Sequence, residues 1–107
     1  MNKDKIIKES SLFSEIISQK QSVKNNYFSI YYQKSDMNKY GITIPKKIGK
    51  ANVRNKIKRQ IKNIIITNEK TIPKEYNYVI IIKEATTNAD YGLLETELLN
   101  LIKKVGK

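Results

Sequence analysis

The side chains of this sequence that could do chemistry are mostly positive, and they are concentrated in one segment. Between Pro45 and Asn68 there are no acids and eight basic residues: Lys46, Lys47, Lys50, Arg54, Lys56, Lys58, Arg59 and Lys62. The 107-residue chain has 21 basic and 10 acidic residues, a net charge of +11, so the rest of the chain contributes only +3. Because phosphate backbones attract such a concentration of positive charge, the segment predicts a nucleic acid as partner.

Both arginines of the chain, Arg54 and Arg59, fall inside this basic segment, and lysine is used at every other positive position. Arginine offers a planar fork of N–H donors that fits a phosphate and a flat surface that stacks on a base. The placement of the arginines therefore favours contact with RNA. The alternative is a solvated helix face whose charges only keep the protein soluble.

Conventional catalytic side chains are missing. The chain has no histidine and no cysteine, which excludes imidazole bases, thiolate nucleophiles, disulfides and the commonest zinc ligands. The ten acids are scattered, and neither GxxxxGK(S/T) nor GxGxxG occurs. We therefore expect no catalytic residue, no metal held by the protein and no small-molecule substrate. No apolar run is long enough to span a bilayer and no export signal opens the chain, so we expect a cytoplasmic protein.

The basic segment needs a helix to position it, and the periodicity predicts one from about Ala51 to Thr67. At about 100° per residue, one face is apolar and should be buried: Val53, Ile57, Ile61 and Ile64. The opposite arc carries two rows at fourfold spacing with Lys56 beside them: Arg54, Lys58 and Lys62, then Asn55 and Arg59. Since like charges four residues apart destabilise a helix by a few tenths of a kcal/mol, an anionic partner would offset that cost.

The remaining elements complete a small fold in one domain, residues 1–107. Leu12 to Ile17 has a helical apolar face, and Asp90 is a candidate N-cap for a last helix. Strands are predicted at Tyr27–Gln33, Tyr40–Pro45 and Tyr76–Lys83, the last covered on both faces. The order is helix, strand, strand (three strands if the Tyr27 region is split), helix, strand, helix, which is typical of a two-layer α+β sandwich.

The Tyr27–Gln33 strand has two unlike faces. Alternation places Phe28, Ile30 and Tyr32 on the core side. The other side is mixed, with Tyr27, Ser29, Tyr31 and Gln33, which suits a wet surface or a cleft. Tyr27 and Tyr31 could equally pack beneath a helix, and Phe13 has the pattern of a core residue.

The segment from Lys46 to Lys62 resembles a known signature. Its sequence is KKIGKANVRNKIKRQIK, and it is similar to the motif of the bacterial ribonuclease P protein subunit, in which a basic helix carries Arg-Asn followed by Lys-Arg. The resemblance covers nearly the whole chain, through LFSEII, YFSIYY, YGITIPKKIGKANVRN, YNYVIIIK and the helix after Asp90.

The resemblance implies a fold and a task that the residues alone do not give. It implies an α+β sandwich with a left-handed βαβ crossover around the second helix, whereas general experience favours right-handed crossovers. It also implies a catalytic RNA as partner, which removes the 5′ leader of precursor tRNA with Mg²⁺ ions held mainly by the RNA. The protein would bind the leader between the first helix and the sheet.

Carried over by position, the resemblance assigns two groups of residues. RNA contacts would come from Arg54, Asn55, Lys56, Lys58, Arg59 and Lys62, approached by Lys46, Lys47 and Lys50. The leader cleft would be lined by Phe13, Ser29 and Tyr31, with Ile17 where the family usually has a second aromatic residue. Lysines at 56 and 62 replace frequent arginines and keep only the charge. The alternative is a generic ribosomal or chaperone-type RNA-binding protein, and a DNA-reading helix is a weaker third choice.

Overall fold

A four-stranded sheet carries helices on both of its faces within the part of the chain that the structure describes. That part, in a computed structural model, is residues 5–7 and 10–106. The helices are α1 (Ser10–Ser18), α2 (Ala51–Thr67) and α3 (Tyr91–Ile102). The strands are β1 (Ser22–Lys24), β2 (Phe28–Lys34), β3 (Lys39–Thr43) and β4 (Tyr76–Ile82). Several residues of the opening segment, in which we expected no export signal, lie outside the described ranges.

The strand order is β1-β2-β4-β3, so that β4 is internal and β3 lies at an edge. β1 pairs with β2 and β2 with β4 in antiparallel fashion, whereas β3 runs parallel to β4. The crossover between the two parallel strands contains α2. The predicted α+β order is thereby confirmed, and the left-handedness of the crossover stays a prediction.

The extra strand before α2 is β1, which precedes the predicted Tyr27–Gln33 strand and does not split it. A turn at Asn25 makes this pairing possible, because its Oδ1 accepts hydrogen bonds from the backbone N–H groups of Tyr27 at 2.9 Å and Phe28 at 2.8 Å. The side chain thus reverses the chain locally and brings Val23 opposite Ile30. The prediction missed β1 because three residues are too few to show a strand periodicity.

The main core lies between the sheet and the α2–α3 layer. It consists largely of branched aliphatic side chains, which pack well against a pleated surface. α2 buries Ile57, Ile61, Ile64 and Ile65, and α3 buries Leu94, Leu98, Leu101 and Ile102. The prediction that Val53 is buried was wrong, since this side chain is 39% exposed. Val53 lies one turn before Ile57 and packs against the Gly49 turn, which covers only part of it.

A second, smaller cluster lies on the other face of the sheet, beneath α1. Ile16 of α1 is fully buried there together with Ile7 and Val79, and Phe13 and Tyr31 pack partly against them. Neighbouring residues of β4, Val79 and Ile80, face opposite sides of the sheet and are both 0% exposed. The prediction that this strand is covered on both faces is therefore confirmed.

A tyrosine cluster fixes the end of the sheet where β3 and β4 begin. The rings of Tyr40 and Tyr78 stack with centroids 5.5 Å apart, and burial raises the pKa of both phenols, so they stay neutral. The Asn38 amide nitrogen donates to Tyr40 Oη and to the carbonyl of Pro73, each at 3.1 Å. Its Oδ1 accepts from the backbone N–H of Tyr76 at 3.0 Å. These bonds hold the edge strand β3 in register with β4.

The N-cap of α3 gives a test of the local sequence rules. Asp90 Oδ1 accepts a hydrogen bond from the backbone N–H of Leu93 at 2.8 Å, which confirms the predicted cap. Asp90→Ala should lower the free energy of unfolding by about 0.5–2 kcal/mol, because the first turn loses this bond. Urea denaturation measures the change. Asp36→Ala removes the same charge at another exposed position, and an equal loss in both variants would contradict the capping role.

Candidate RNA interface

The basic rows of α2 lie on its solvent side, as predicted. Arg54 and Lys62 are half-buried and the remaining members are exposed: Asn55, Lys56, Lys58 and Arg59. Within residues 5–7 and 10–106, ion pairs join Lys5 to Glu69 and Lys34 to Glu75, and none involves α2. The positive charges of this face, which we call the basic face, are therefore uncompensated by the described residues.

The approach to α2 extends the basic face. Lys46 and Lys47 are exposed on a short 3₁₀ turn, Lys46–Ile48, which is anchored by the buried side chain of Ile48. Lys50 occupies the N-cap without a side-chain cap, and the first turn of the helix contains no acid. The positive end of the helix dipole consequently adds to the lysines and favours an anion.

Arg54 is tied to the turn that precedes the helix. Its Nε donates a hydrogen bond to the carbonyl oxygen of Gly49 at 3.2 Å. The bond uses one donor of the guanidinium group, and the half-buried side chain is held close to the helix start. The terminal NH₂ groups keep a fork that can bind a phosphate.

Two members of the basic face, Lys58 and Lys62, lie across the edge strand β3 from the first helix. Lys58 and Lys62 line a notch of about 90 Å³ together with Phe13 of α1. The notch is also lined by five residues from two other segments: Tyr40, Gly41 and Ile42 of β3, and Ile6 and Ile7. A positive edge and an aromatic ring thus lie side by side, although they are 45 residues or more apart in sequence.

The second aromatic residue of the predicted cleft, Tyr31, lies on the same face of the sheet as Phe13. It packs partly against the cluster beneath α1 and is half-buried. The Nζ of Lys24 lies 5.7 Å from the centroid of its ring, a cation–π contact. Tyr27, which alternation placed on this face, instead packs against the main core.

The other two predicted cleft residues differ in accessibility. Ser29 is two residues before Tyr31 on the same strand face and is only 8% exposed. It pairs across the sheet with Lys24 on one side and with Ile81 on the other. Ile17 is 38% exposed on α1 and does not belong to the cluster that contains Phe13 and Tyr31.

Two residues of this region were missed from sequence. Lys24 was overlooked because β1 itself was not predicted, so nothing placed the lysine beside Tyr31. Gly41 was overlooked although a signal existed, since a glycine inside a strand often marks a close approach to the backbone. In the structure the ring of Phe13 lies directly over Gly41.

The described residues offer no cluster of three or more acids that could hold a metal ion. A larger cavity of about 450 Å³ lies where β3 and β4 begin, and it mixes acids with lysines: Lys5, Asp36, Glu69, Lys70, Lys74 and Glu75. Mixed charge of this kind lacks the single sign that attracts a polyanion. Among the described helices, none is long and apolar enough to cross a bilayer.

Comparisons with known proteins identify the family of this chain. The Ribonuclease P family model matches residues 1–106. The ribonuclease P protein component of Mycoplasma mycoides is 40% identical over 110 residues, which cover 98% of this chain and 99% of that protein. The corresponding protein of Streptococcus agalactiae is 34% identical over 108 residues and is covered to 98%.

Solved structures show the same fold. The RNase P protein from Thermotoga maritima superposes with a TM-score of 0.83 at 32% identity, covering 89% of this chain and 92% of that chain. The RNase P protein of Staphylococcus aureus superposes with a TM-score of 0.88 at 26% identity, covering 95% of each chain.

The repulsion within the basic face can be measured on the isolated protein. Lys58 has a positive neighbour one turn away on each side, Arg54 and Lys62. Lys58→Gln removes two such contacts and should raise the free energy of unfolding at low salt by roughly 0.4–1 kcal/mol. Urea denaturation at low and high salt should show the gain shrinking as salt screens the charges. Lys74→Gln makes the same change in net charge outside the helix, and a gain no larger than in this control would contradict the repulsion.

Proposed function

The chain belongs to the ribonuclease P protein family, and we propose that it binds the catalytic RNA and the 5′ leader of precursor tRNA. Membership implies a part in the 5′ maturation of tRNA as the protein component of a ribonuclease complex. The observation that carries the finer proposal is the uncompensated basic face of α2 beside the ring of Phe13. We propose that the protein works where precursor tRNA is processed, in the cytoplasm.

The leader is an extended single strand, and such strands bind to a stacking surface next to a positive groove. Phe13 and Tyr31 supply aromatic rings on the α1 side of the sheet, and Lys58 and Lys62 supply charge at the notch. We propose that leader bases stack on the rings while neighbouring phosphates lie against the lysines. Lys24, whose Nζ lies over the Tyr31 ring, adds a further positive charge beside this aromatic residue.

The members of the basic face that do not line the notch suit the catalytic RNA. Asn55, Lys56 and Arg59 are exposed, and the turn residues Lys46 and Lys47 extend the same surface toward the helix start. A folded RNA presents many phosphates to a broad surface of this kind, and each phosphate contact releases counterions. The bidentate fork of Arg59 adds geometric selectivity that lysine lacks.

Magnesium enters this proposal through the RNA. Among the described residues no three acids lie close enough together to hold a metal ion, and we propose that the RNA holds the Mg²⁺ ions. The chain contributes by neutralising phosphates. Because Lys and Arg side chains replace part of the counterion atmosphere where two RNA molecules approach, less free Mg²⁺ is needed to hold them together.

A generic RNA-binding protein of the ribosomal or chaperone type is the alternative. The basic face alone would serve it equally well, because phosphate contacts carry no sequence information. The family match and the aromatic rings beside the basic face support the leader-binding proposal instead. A leader site requires stronger binding of precursor tRNA than of mature tRNA, whereas a generic binder would hold both equally.

Reconstituted cleavage tests the proposal. The protein alone should leave precursor tRNA intact, and adding it to the cognate RNA should allow cleavage at Mg²⁺ concentrations where the RNA alone is inactive. Cleavage of a labelled precursor across a magnesium series measures the effect. The control is the RNA with an equal amount of polylysine, which supplies charge without a fold. Identical magnesium dependence with and without the protein would contradict the proposal.

Arg59 gives a prediction for a single side chain. Arg59→Ala should weaken binding of the catalytic RNA by about 1–2 kcal/mol, because charge-assisted hydrogen bonds to phosphate are lost. Filter binding at fixed salt measures the affinity. Lys74→Ala removes one positive charge at an exposed position outside α2 and serves as the control. If the Arg59→Ala variant binds the RNA no more weakly than the Lys74→Ala variant does, the guanidinium fork of Arg59 makes no contact with the RNA.

A further inference from the structure

Gly41 lies in the middle of β3 on the side that faces α1, and the ring of Phe13 rests on it. A Cβ atom built at this position would lie 2.3 Å from Cζ and 2.7 Å from Cε1 of Phe13. Non-bonded carbon atoms prefer separations of about 3.5–4.0 Å, so no side chain fits while the ring stays in place. The contact requires a residue without a Cβ atom.

Backbone conformation does not explain this glycine. Gly106 has a φ of +83°, whereas Gly41 has no positive φ and its partner in the parallel pairing is Val79. Glycine is unfavourable inside a regular strand, where any L-residue could adopt the same dihedral angles. The close approach of the Phe13 ring is therefore the feature that the residue serves.

The position of the ring has a consequence for the binding surface. Seated on the backbone of β3, Phe13 reaches the sheet edge and lines the notch with Lys58 and Lys62. A methyl group at residue 41 would push the ring off the strand. The same change would separate the aromatic surface from the row of positive charges.

We infer that Gly41 is a positioning residue of the leader site, since its missing side chain seats Phe13 beside Lys58 and Lys62. One leader base then stacks on the ring while an adjacent phosphate lies against the lysines. The inference rests on the proposed function. It adds the residue that sets the distance between the stacking surface and the positive charges.

The test compares precursor tRNA with mature tRNA in the reconstituted holoenzyme. Gly41→Ala should reduce the preference for the precursor by roughly fivefold or more, the scale of one lost base–aromatic stack. KM for the precursor should rise while kcat at saturating substrate stays unchanged, because under the proposed function the RNA performs the cleavage step and the protein binds the leader. Gly92→Ala is the matched control, since a Cβ there has its nearest contact at 3.6 Å, with Asp90.

A double variant separates positioning from a general loss of stability. Phe13→Leu removes the Cζ and Cε atoms that would collide with the new methyl group. The Gly41→Ala change should therefore have no further effect on precursor preference when Phe13→Leu is already present. If Gly41→Ala does not fold, the double variant should fold and match Phe13→Leu alone. A double variant that stays unfolded, or that discriminates less than Phe13→Leu, would overturn the inference.

The outcomes also separate this inference from the function on which it rests. A wild-type holoenzyme without any preference for precursor would contradict leader binding itself, and the inference with it. A wild-type preference that Gly41→Ala retains in full would refute the positioning role alone. A loss of thermal stability with an unchanged precursor-to-mature ratio would assign Gly41 to packing only and would overturn the inference.

Discussion

The positive charge concentrated on α2 determines how this fold has to be held together. Its basic residues repel one another along the helix, and within residues 5–7 and 10–106 no acid forms an ion pair with them. A helix of this kind is held by its apolar side, where Ile57, Ile61 and Ile64 are almost completely buried against the sheet. Burying such a side chain is worth about 1.5–3 kcal/mol, which exceeds the few tenths of a kcal/mol that each like-charge pair costs. Burial of the apolar side therefore stabilises the helix despite the repulsion between its charges, which a bound anion would relieve.

The edge strand β3 links this surface to the first helix. Hydrogen bonds from Asn38 and the stacking of Tyr40 on Tyr78 hold the start of the strand against β4. From the other end of β3 the chain runs through the 3₁₀ turn at Lys46–Ile48 into α2, so the strand lies next to the basic face. The ring of Phe13, from α1, lies directly over Gly41 of this strand. Two distant parts of the sequence thus lie side by side because the same strand supports both.

Local rules predicted the elements well where the periodicity was strong. The bounds of α2 agree with the predicted Ala51–Thr67, and the Asp90 cap is present, because both depend on neighbouring residues in sequence. The prediction that Val53 is buried was wrong because helix periodicity does not say how far along the helix the neighbouring elements cover its apolar face. β1 was not predicted because a three-residue strand depends on its pairing with β2 and on the Asn25 turn. The meeting of Phe13 with Lys58 and Lys62 follows from strand order, which no local pattern contains. The family resemblance placed Phe13 in the leader cleft and the two lysines in a separate group of RNA contacts, so it did not predict this contact.

The salt dependence of RNA binding would count the phosphates that the basic face neutralises, so it measures directly whether this charge binds RNA. The affinity of the protein for its catalytic RNA should be measured at several monovalent salt concentrations with magnesium fixed. The logarithm of the affinity should fall linearly with the logarithm of the salt concentration, with a slope of magnitude roughly 3 to 6, as expected for several phosphate contacts. A slope close to zero would mean that the positive charge of α2 has no part in binding RNA.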